Sequence, residues 1–248
     1  MEERSSMYIY VGYDSANLGQ EMAYQVCRRS IFNNARRDAP LAVLEPLKLS
    51  DLKEDGLYWR KDDSKQSTEF TYSRFLTPYI AFHEDKADYA IFCDSDFLWR
   101  CNIEELLYLI DPEKAVTCVQ HKYIECPSHT KMDGLAQEWY PKKNWSSLML
   151  FNCNHEDCQK LTPEVVNTES PKYLHRMEWT SEENIGSFPV EYNYLVGYYN
   201  YTDNPKALHF TDGGPWHKDH QNVEYADEWL SYLSKEEKEK HKSGSFWS

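Results

Sequence analysis

Two aspartates one residue apart, Asp94 and Asp96, flank Ser95 directly after the apolar run Tyr89-Ala-Ile-Phe-Cys93. Carboxylates are hard oxygen donors, and such a pair suits Mg²⁺ or Mn²⁺, which bind through one or two carboxylates together with substrate phosphates. The turn after the run lets one side chain reach a metal while the other reaches a ribose or a metal-bound water. Alone, the pattern also describes two exposed turn aspartates. The apolar Phe97-Leu98-Trp99 that follows makes a casual surface turn the poorer description. His209 is the second candidate. It ends a short apolar run, Ala207-Leu208, and precedes Gly213-Gly214-Pro215, where glycine lets backbone come close to a ligand. A lone histidine is more often structural, so His209 gains weight only beside the aspartates.

The elements that must position these residues alternate between strand and helix patterns. Tyr8-Ile-Tyr-Val-Gly12 reads as a buried strand, Gln20 to Arg37 as a helix, and Leu41-Ala-Val-Leu44 as a strand closed by Pro46. Glu69 to Phe82 has a helical pattern, with Pro78 as a kink or cap. Tyr89–Cys93 is the strand that delivers the aspartates. Asn102 to Leu109 reads as a helix with Asn102 as N-cap and Glu105 at the capping-box position, followed by a strand at Ala115–Val119. Further strands are expected at Ser147–Phe151 and within Pro189–Val196, and a charged helical tail from Tyr225 to Lys242.

Strands spaced by helices predict an α/β fold with a mostly parallel central sheet flanked by helices. Open sheets of this kind bind ligands beyond the carboxyl ends of their strands, where Asp94 and Asp96 would lie. One domain over residues 1–248 is expected, in two halves at about 7–120 and 121–230 with a charged tail over 225–248.

The formal charge of −14 argues against a nucleic-acid partner, which needs a cationic footprint. No apolar stretch approaches the ~18 residues of a membrane-spanning helix. The polar opening Met1 to Met7 is unlike a signal peptide. With seven cysteines at irregular spacing, reduced thiols in a cytoplasmic compartment are expected. Without a secretory signal the sequons at Asn144 and Asn200 carry little meaning. The 19 Tyr, 10 Phe and 8 Trp suit stacking on bases and sugars, or a large core, equally well. Cys118, His121, Cys126 and His129 have zinc-like spacing in an unfamiliar order, and Cys153-Asn-His155 with Cys158 reads as a turn and helix start.

Taken together, Tyr10-Val-Gly-Tyr-Asp14, the strand ending in Asp94-Ser-Asp96, and a late His209 followed by Gly and Pro-Trp resemble GT-A glycosyltransferases near family eight. The chain is similar to lipopolysaccharide-type enzymes and to capsid-glycan glycosyltransferase domains of chloroviruses. The runs Ser67–Phe75, Lys143–Leu150, Leu161–Thr168 and Val190–Gly197 add to the resemblance, which covers roughly residues 7–230. It implies a nucleotide-binding half at about 7–120, a metal-completing and acceptor half at about 121–230, a UDP-sugar donor, a glycan acceptor and Mn²⁺ or Mg²⁺. Asp96 would bind the metal directly, Asp94 would contact the metal or the ribose, and His209 would complete the set. Val11, Gly12, Tyr13 and Asp14 would cradle the nucleotide with Ser95, Gly213 and Gly214, and Arg74 would lie near the diphosphate or donor sugar. Asn144 to Ser147 and Glu191 to Asn193 would line the sugar and acceptor side. The chain departs from the family where Asp212 replaces a glycine and Gly214 a lysine that contacts the diphosphate, which leaves Lys218 or Arg74 to compensate.

An inverting transfer needs a carboxylate base, for which Asp212 or Glu191 are candidates. A retaining transfer, which the resemblance implies, needs instead a group on the opposite sugar face, Glu183 or Glu191. Two other readings compete: a phosphatase or phosphomutase with Asp94 as nucleophile and Asp96 as acid/base, and a non-catalytic sugar-binding module. The first places its motif after the first strand and prefers a small residue next, whereas here Phe97 follows.

Overall fold

The computed structural model describes residues 7–16, 18–36, 43–61, 67–122, 142–199 and 204–247. In chain order the elements are β1 (Met7–Tyr13), α1 (Leu18–Asn34), β2 (Val43–Lys48), α2 (Leu49–Glu54), α3 (Thr77–His83), β3 (Tyr89–Cys93), β4 (Phe97–Trp99), β5 (Val116–Val119), β6 (Leu148–Asn152), α4 (Glu156–Gln159), α5 (Pro163–Thr168), α6 (Pro171–His175), β7 (Ile185–Phe188), β8 (Tyr194–Leu195), β9 (Ala207–His209), α7 (Ala226–Ser231) and α8 (Lys235–Lys242). The strands form a six-stranded sheet in the order β2-β1-β3-β6-β5-β7 and a three-stranded sheet in the order β4-β9-β8.

In the large sheet β1 is parallel to β2 and β3, β5 is parallel to β7, and β6 is antiparallel to both its neighbours. Five strands therefore share one direction, and their carboxyl ends share one edge. The period-2 alternation of a strand sorts side chains between the two faces. Tyr10, Ala90, Phe92, Met149 and Phe151 enter one core, and Ile9, Val11, Ile91, Cys93, Leu148 and Leu150 enter the other. A third core joins Met22, Ala23 and Val26 of α1 to Leu98, Leu208, Trp216 and Trp229 around the small sheet. Trp99, Trp179, Trp229, Phe75, Phe92, Phe97, Phe151 and Phe210 are all fully buried, so much of the aromatic load fills these cores.

Several elements differ from their sequence pattern for identifiable reasons. Pro46 lies inside β2 rather than closing it; β2 is an edge strand, where a missing N–H costs no ladder bond. Leu41 and Ala42 of that expected strand lie outside the described residues. In place of one helix over Glu69–Phe82 there is a turn, a 3-10 helix at Ser73–Leu76, and then α3. Pro78 sits in the first turn of α3, where its lack of an N–H does no harm, so it starts that helix instead of kinking it. The segment after Asn102 is a 3-10 helix, Ile103–Leu109. The Asn102 side chain does cap it, accepting from Glu104 N at 3.1 Å, but Glu105 turns to Lys206 Nζ at 2.8 Å and closes no capping box. Most of Pro189–Val196 is a 3-10 helix, Val190–Asn193, with only the short β8 behind it. The strand β7 escapes the pattern because of Gly186, whose bare Cα lets Thr117 Oγ1 approach to 2.6 Å of where a Cβ would stand.

The tail is two helices. A capping box between Ser234 and Glu237 starts α8, and Arg29 grips the Glu237 carboxylate with two bonds of 2.7 Å, fixing α8 to α1.

Candidate functional site

The strand β3 ends at Cys93, and the next three residues turn from the large sheet into β4 of the small one. Asp94 and Asp96 sit in that turn because each is tied to a different neighbour. The Asp94 N–H donates to the Ser147 carbonyl at 2.8 Å, and the Asp96 carbonyl accepts from Phe210 N at 3.1 Å. Ser95 between them is buried. Antiparallel pairing of β4 with β9 sets Phe97 opposite His209, and the two rings stack with centroids 4.5 Å apart. This register carries His209, more than a hundred residues later in the chain, to the aspartates. One ligand atom from each of Asp94, Asp96 and His209 lies within 4.8 Å of the others.

The cluster is largely shielded from water. His209 is 2% exposed, and its Nε2 faces Asp96 Oδ2 at 3.4 Å. The other Asp96 oxygen, Oδ1, is buried and has no hydrogen-bond partner among the described residues. Burial alone would raise the pKa of Asp96, but His209, the local backbone and Arg74 outweigh it and hold the carboxyl below its usual range. Asp94 goes the other way. Burial pushes it up to about 6, Arg74 opposes the rise, and the neighbouring Asp96 adds to it. Two like charges in one small space thus titrate apart, which is the state a doubly charged cation would relieve.

Arg74 stands on the 3-10 helix before α3 and is buried. Its Nη1 is 2.9 Å from Asp94 Oδ1 and donates to the Ser146 carbonyl at 2.9 Å, while Nε donates to the Phe70 carbonyl at 3.2 Å. The guanidinium lies over the rings of Phe92 and Phe70. Its nearest charge partner is therefore the motif itself.

The loop after β1 lies at the same edge, since Val11 is in register with Cys93 across the parallel β1–β3 pair. Gly12 is required by packing: a Cβ there would stand 2.6 Å from the Phe70 ring. Asp14 is buried, and its carboxylate accepts from Ala16 N at 2.8 Å and Glu69 N at 3.4 Å, so it shapes the loop. Glu69 answers by accepting from Ser15 N and Ser15 Oγ at 3.1 and 2.8 Å. Tyr13 remains half-buried, edge-on to Tyr24 with Lys48 Nζ over its ring.

Shortly after His209, Gly213 has φ = +125° and its N–H donates to the Phe210 carbonyl at 2.8 Å. A Cβ on Gly214 would stand 2.1 Å from the Trp216 ring, so this glycine makes room for a core tryptophan. Asp212, three residues after His209, accepts from Tyr198 Oη at 2.8 Å. Lys218 is exposed on a short 3-10 turn.

Glu191 lies two residues before Asn193, and its carbonyl accepts from Lys206 N at 2.7 Å. Glu183 is not brought to the cluster. It is exposed and precedes the amino end of β7, at the sheet edge opposite to Asp94. Asn193 and Ser147 were expected to line the sugar side, yet both are buried and turn toward His209. The Asn193 Oδ1 is 2.8 Å from His209 Nδ1, and Asn193 Nδ2 donates to Ser147 Oγ at 2.9 Å. Sequence reasoning missed this support because the three residues are far apart in the chain. It also missed Phe97 as the ring against His209. Of the zinc-like spacing, Cys118 is buried within β5 and Cys126 and His129 lie outside the described residues. Among the described residues no helix is long and apolar enough to cross a membrane.

The fold is that of GT-A glycosyltransferases. The bifunctional glycosyltransferase WbbM superposes with a TM-score of 0.66 at 14% identity over 98% of this chain, which spans about half (52%) of WbbM. The galactosyltransferase LgtC, solved with donor and acceptor sugar analogues, superposes with a TM-score of 0.58 at 14% identity over 94% of this chain and all (100%) of LgtC. A glycosyltransferase involved in glycosylation of the major capsid of PBCV-1 gives 0.50 at 11% identity, over 84% of this chain and 94% of that one. At these identities the likeness is one of fold. No protein-family model matches the chain. A sequence relative is much nearer: Protein CDI of Arabidopsis thaliana is 43% identical over 245 residues, 97% of this chain and 91% of that protein. The chain belongs to the same family as Protein CDI and carries the GT-A fold.

Proposed function

We propose that the protein is a metal-dependent glycosyltransferase that moves a sugar from a nucleoside diphosphate sugar, with UDP as the nucleotide, to a hydroxyl of a glycan acceptor. One observation carries this. Asp94, Asp96 and His209 converge at the carboxyl edge of the sheet, and a buried Asp96 oxygen has no partner among the described residues. An orphaned buried carboxylate oxygen is costly unless a cation or a proton completes it. Two carboxylates and an imidazole suit Mn²⁺, or Mg²⁺, and three protein donors leave further positions for diphosphate oxygens. When bound, such an ion offsets the charge that gathers on a departing diphosphate.

This chain's own residues do the rest by holding geometry. Arg74 fixes the Asp94 carboxylate and supplies one buried positive charge beside two negative ones. Phe97 and the β4–β9 pairing hold the imidazole ring in place. The backbone at Gly12 to Asp14 offers a wall beside the cluster, with the Tyr13 ring available to stack on a base. Asp212, whose carboxylate accepts from Tyr198 Oη, and Glu191 are the carboxylates we assign to contact an acceptor hydroxyl or the donor sugar. Retention of anomeric configuration and hexosyl transfer rest on the family-eight resemblance. A role in surface or capsid glycans rests on the likeness to the PBCV-1 enzyme.

The test is hydrolysis and transfer with a panel of nucleotide sugars, with and without Mn²⁺. Metal-dependent turnover of a UDP-sugar is expected, abolished by Asp96→Ala with the fold retained. Turnover that ignores the metal, or an unaffected Asp96→Ala, would overturn the assignment.

A further inference from the structure

The shortest hydrogen bonds behind His209 select one arrangement of protons over the longer 3.5 Å contact between Ser147 Oγ and His209 Nδ1. Ser147 Oγ lies 2.7 Å from the Asn144 carbonyl, which can only accept, so the hydroxyl spends its proton there. Ser147 Oγ must then accept from Asn193, 2.9 Å away, which fixes the Asn193 amide with its NH₂ toward Ser147. Its Oδ1 is left facing His209 Nδ1 at 2.8 Å. A carbonyl oxygen can only accept, so Nδ1 must carry a proton. On a neutral ring Nε2 is then a bare lone pair, aimed at Asp96 Oδ2 from 3.4 Å.

Without this chain of bonds the opposite tautomer is favoured, because a proton on Nε2 would answer the Asp96 carboxylate directly. That proton would stand where a cation must sit. Asn193 is 0% exposed and Ser147 3% exposed, so water does not substitute for either partner.

We propose that Asn193, itself oriented by Ser147 and the Asn144 carbonyl, is a positioning residue that locks His209 in the Nδ1–H tautomer and so keeps Nε2 open for a divalent cation. The proposal deepens the metal-site reading and rests on it. Histidine ligands are commonly oriented in this way through their second nitrogen, and losing the orienting partner typically weakens metal affinity by about 10–100-fold.

Two measurements on the full chain decide it. The first is the tautomer of His209 in the metal-free protein, read from ring-nitrogen chemical shifts at a pH where the ring is neutral. Wild type should show the proton on Nδ1; Asn193→Leu should move it to Nε2. The second is a titration with Mn²⁺ alone, followed by electron paramagnetic resonance. Asn193→Leu should bind about 10–100-fold more weakly. Asn193→Asp, which still offers an acceptor to Nδ1, should recover the wild-type affinity, and Ser147→Ala, which frees the amide to flip, should fall between. A wild-type proton on Nε2, or unchanged Mn²⁺ affinity in a folded Asn193→Leu, overturns the proposal. If Asn193→Leu does not fold, Ser147→Ala and the wild-type tautomer decide. Should wild type fail to bind Mn²⁺, the metal reading falls by itself, while the tautomer still reports on Asn193.

Discussion

The Arg74 guanidinium stands 2.9 Å from Asp94 Oδ1, with both side chains largely buried. Arg74 therefore acts as the resident counter-charge of the acidic motif. Removing one partner of a buried pair leaves the other uncompensated, at a cost of about 3 kcal/mol. Arg74→Met should lose about that much stability in urea denaturation, and Mn²⁺ should restore part of it by binding only the folded chain. A variant as stable as wild type would show that the pair contributes nothing.

The same pair sets a pH dependence. Burial lifts Asp94 to about 6, against the pull of Arg74. A carboxyl raised above its usual range favours the fold while protonated, so the metal-free protein should lose stability as pH rises from about 4 through 6. Cation binding needs the ionised form, so Mn²⁺ affinity should fall as pH drops below about 6. Calorimetric titrations at pH 5 and pH 7.5 would check this, and equal affinities would contradict it.

Gly12 tests the link from packing to site. An added methyl would meet the Phe70 ring at 2.6 Å, and Phe70 in turn supports Arg74 through its carbonyl and its ring. Overpacking of this kind costs about 1–3 kcal/mol. Gly12→Ala should lower the melting temperature and also change Mn²⁺ affinity, because displacing Arg74 alters both the charge beside Asp94 and its orientation. A destabilised protein with unchanged metal affinity would separate the glycine from the site.

Arg29 bonds hold the Glu237 carboxyl down at about 2, with Ser234 helping and burial opposing. A depressed carboxyl stabilises the fold above its unfolded pKa, about 4.3, and that contribution is lost as pH falls toward 2. The pair is partly exposed, so the effect is modest. Glu237→Gln should raise the pH of acid unfolding, and identical acid transitions would remove the pair from the account.

The strand Tyr89–Cys93, the acidic turn after it and the late histidine were legible because each is a local pattern of apolar residues and special side chains. What holds them together was not. Asn193, Ser147 and Phe97 act on His209 through contacts between distant segments, and no local spacing reports such contacts. Gly12 and Gly214 were legible as functional glycines, but their physical reasons are the rings of Phe70 and Trp216. Asp14, expected at the nucleotide, also accepts from backbone amides that shape its loop, which no local spacing reports. Pro46 and Gly186 masked strands because an edge position and a close Thr117, respectively, override the usual breaker signals.

The most direct test of the account is a crystal structure of the protein soaked with Mn²⁺ and UDP, located by the anomalous signal of manganese. One peak bound by Asp94, Asp96 and His209, with the diphosphate on its open side, is expected. A peak elsewhere, or UDP bound away from the carboxyl edge of β1 and β3, would contradict it.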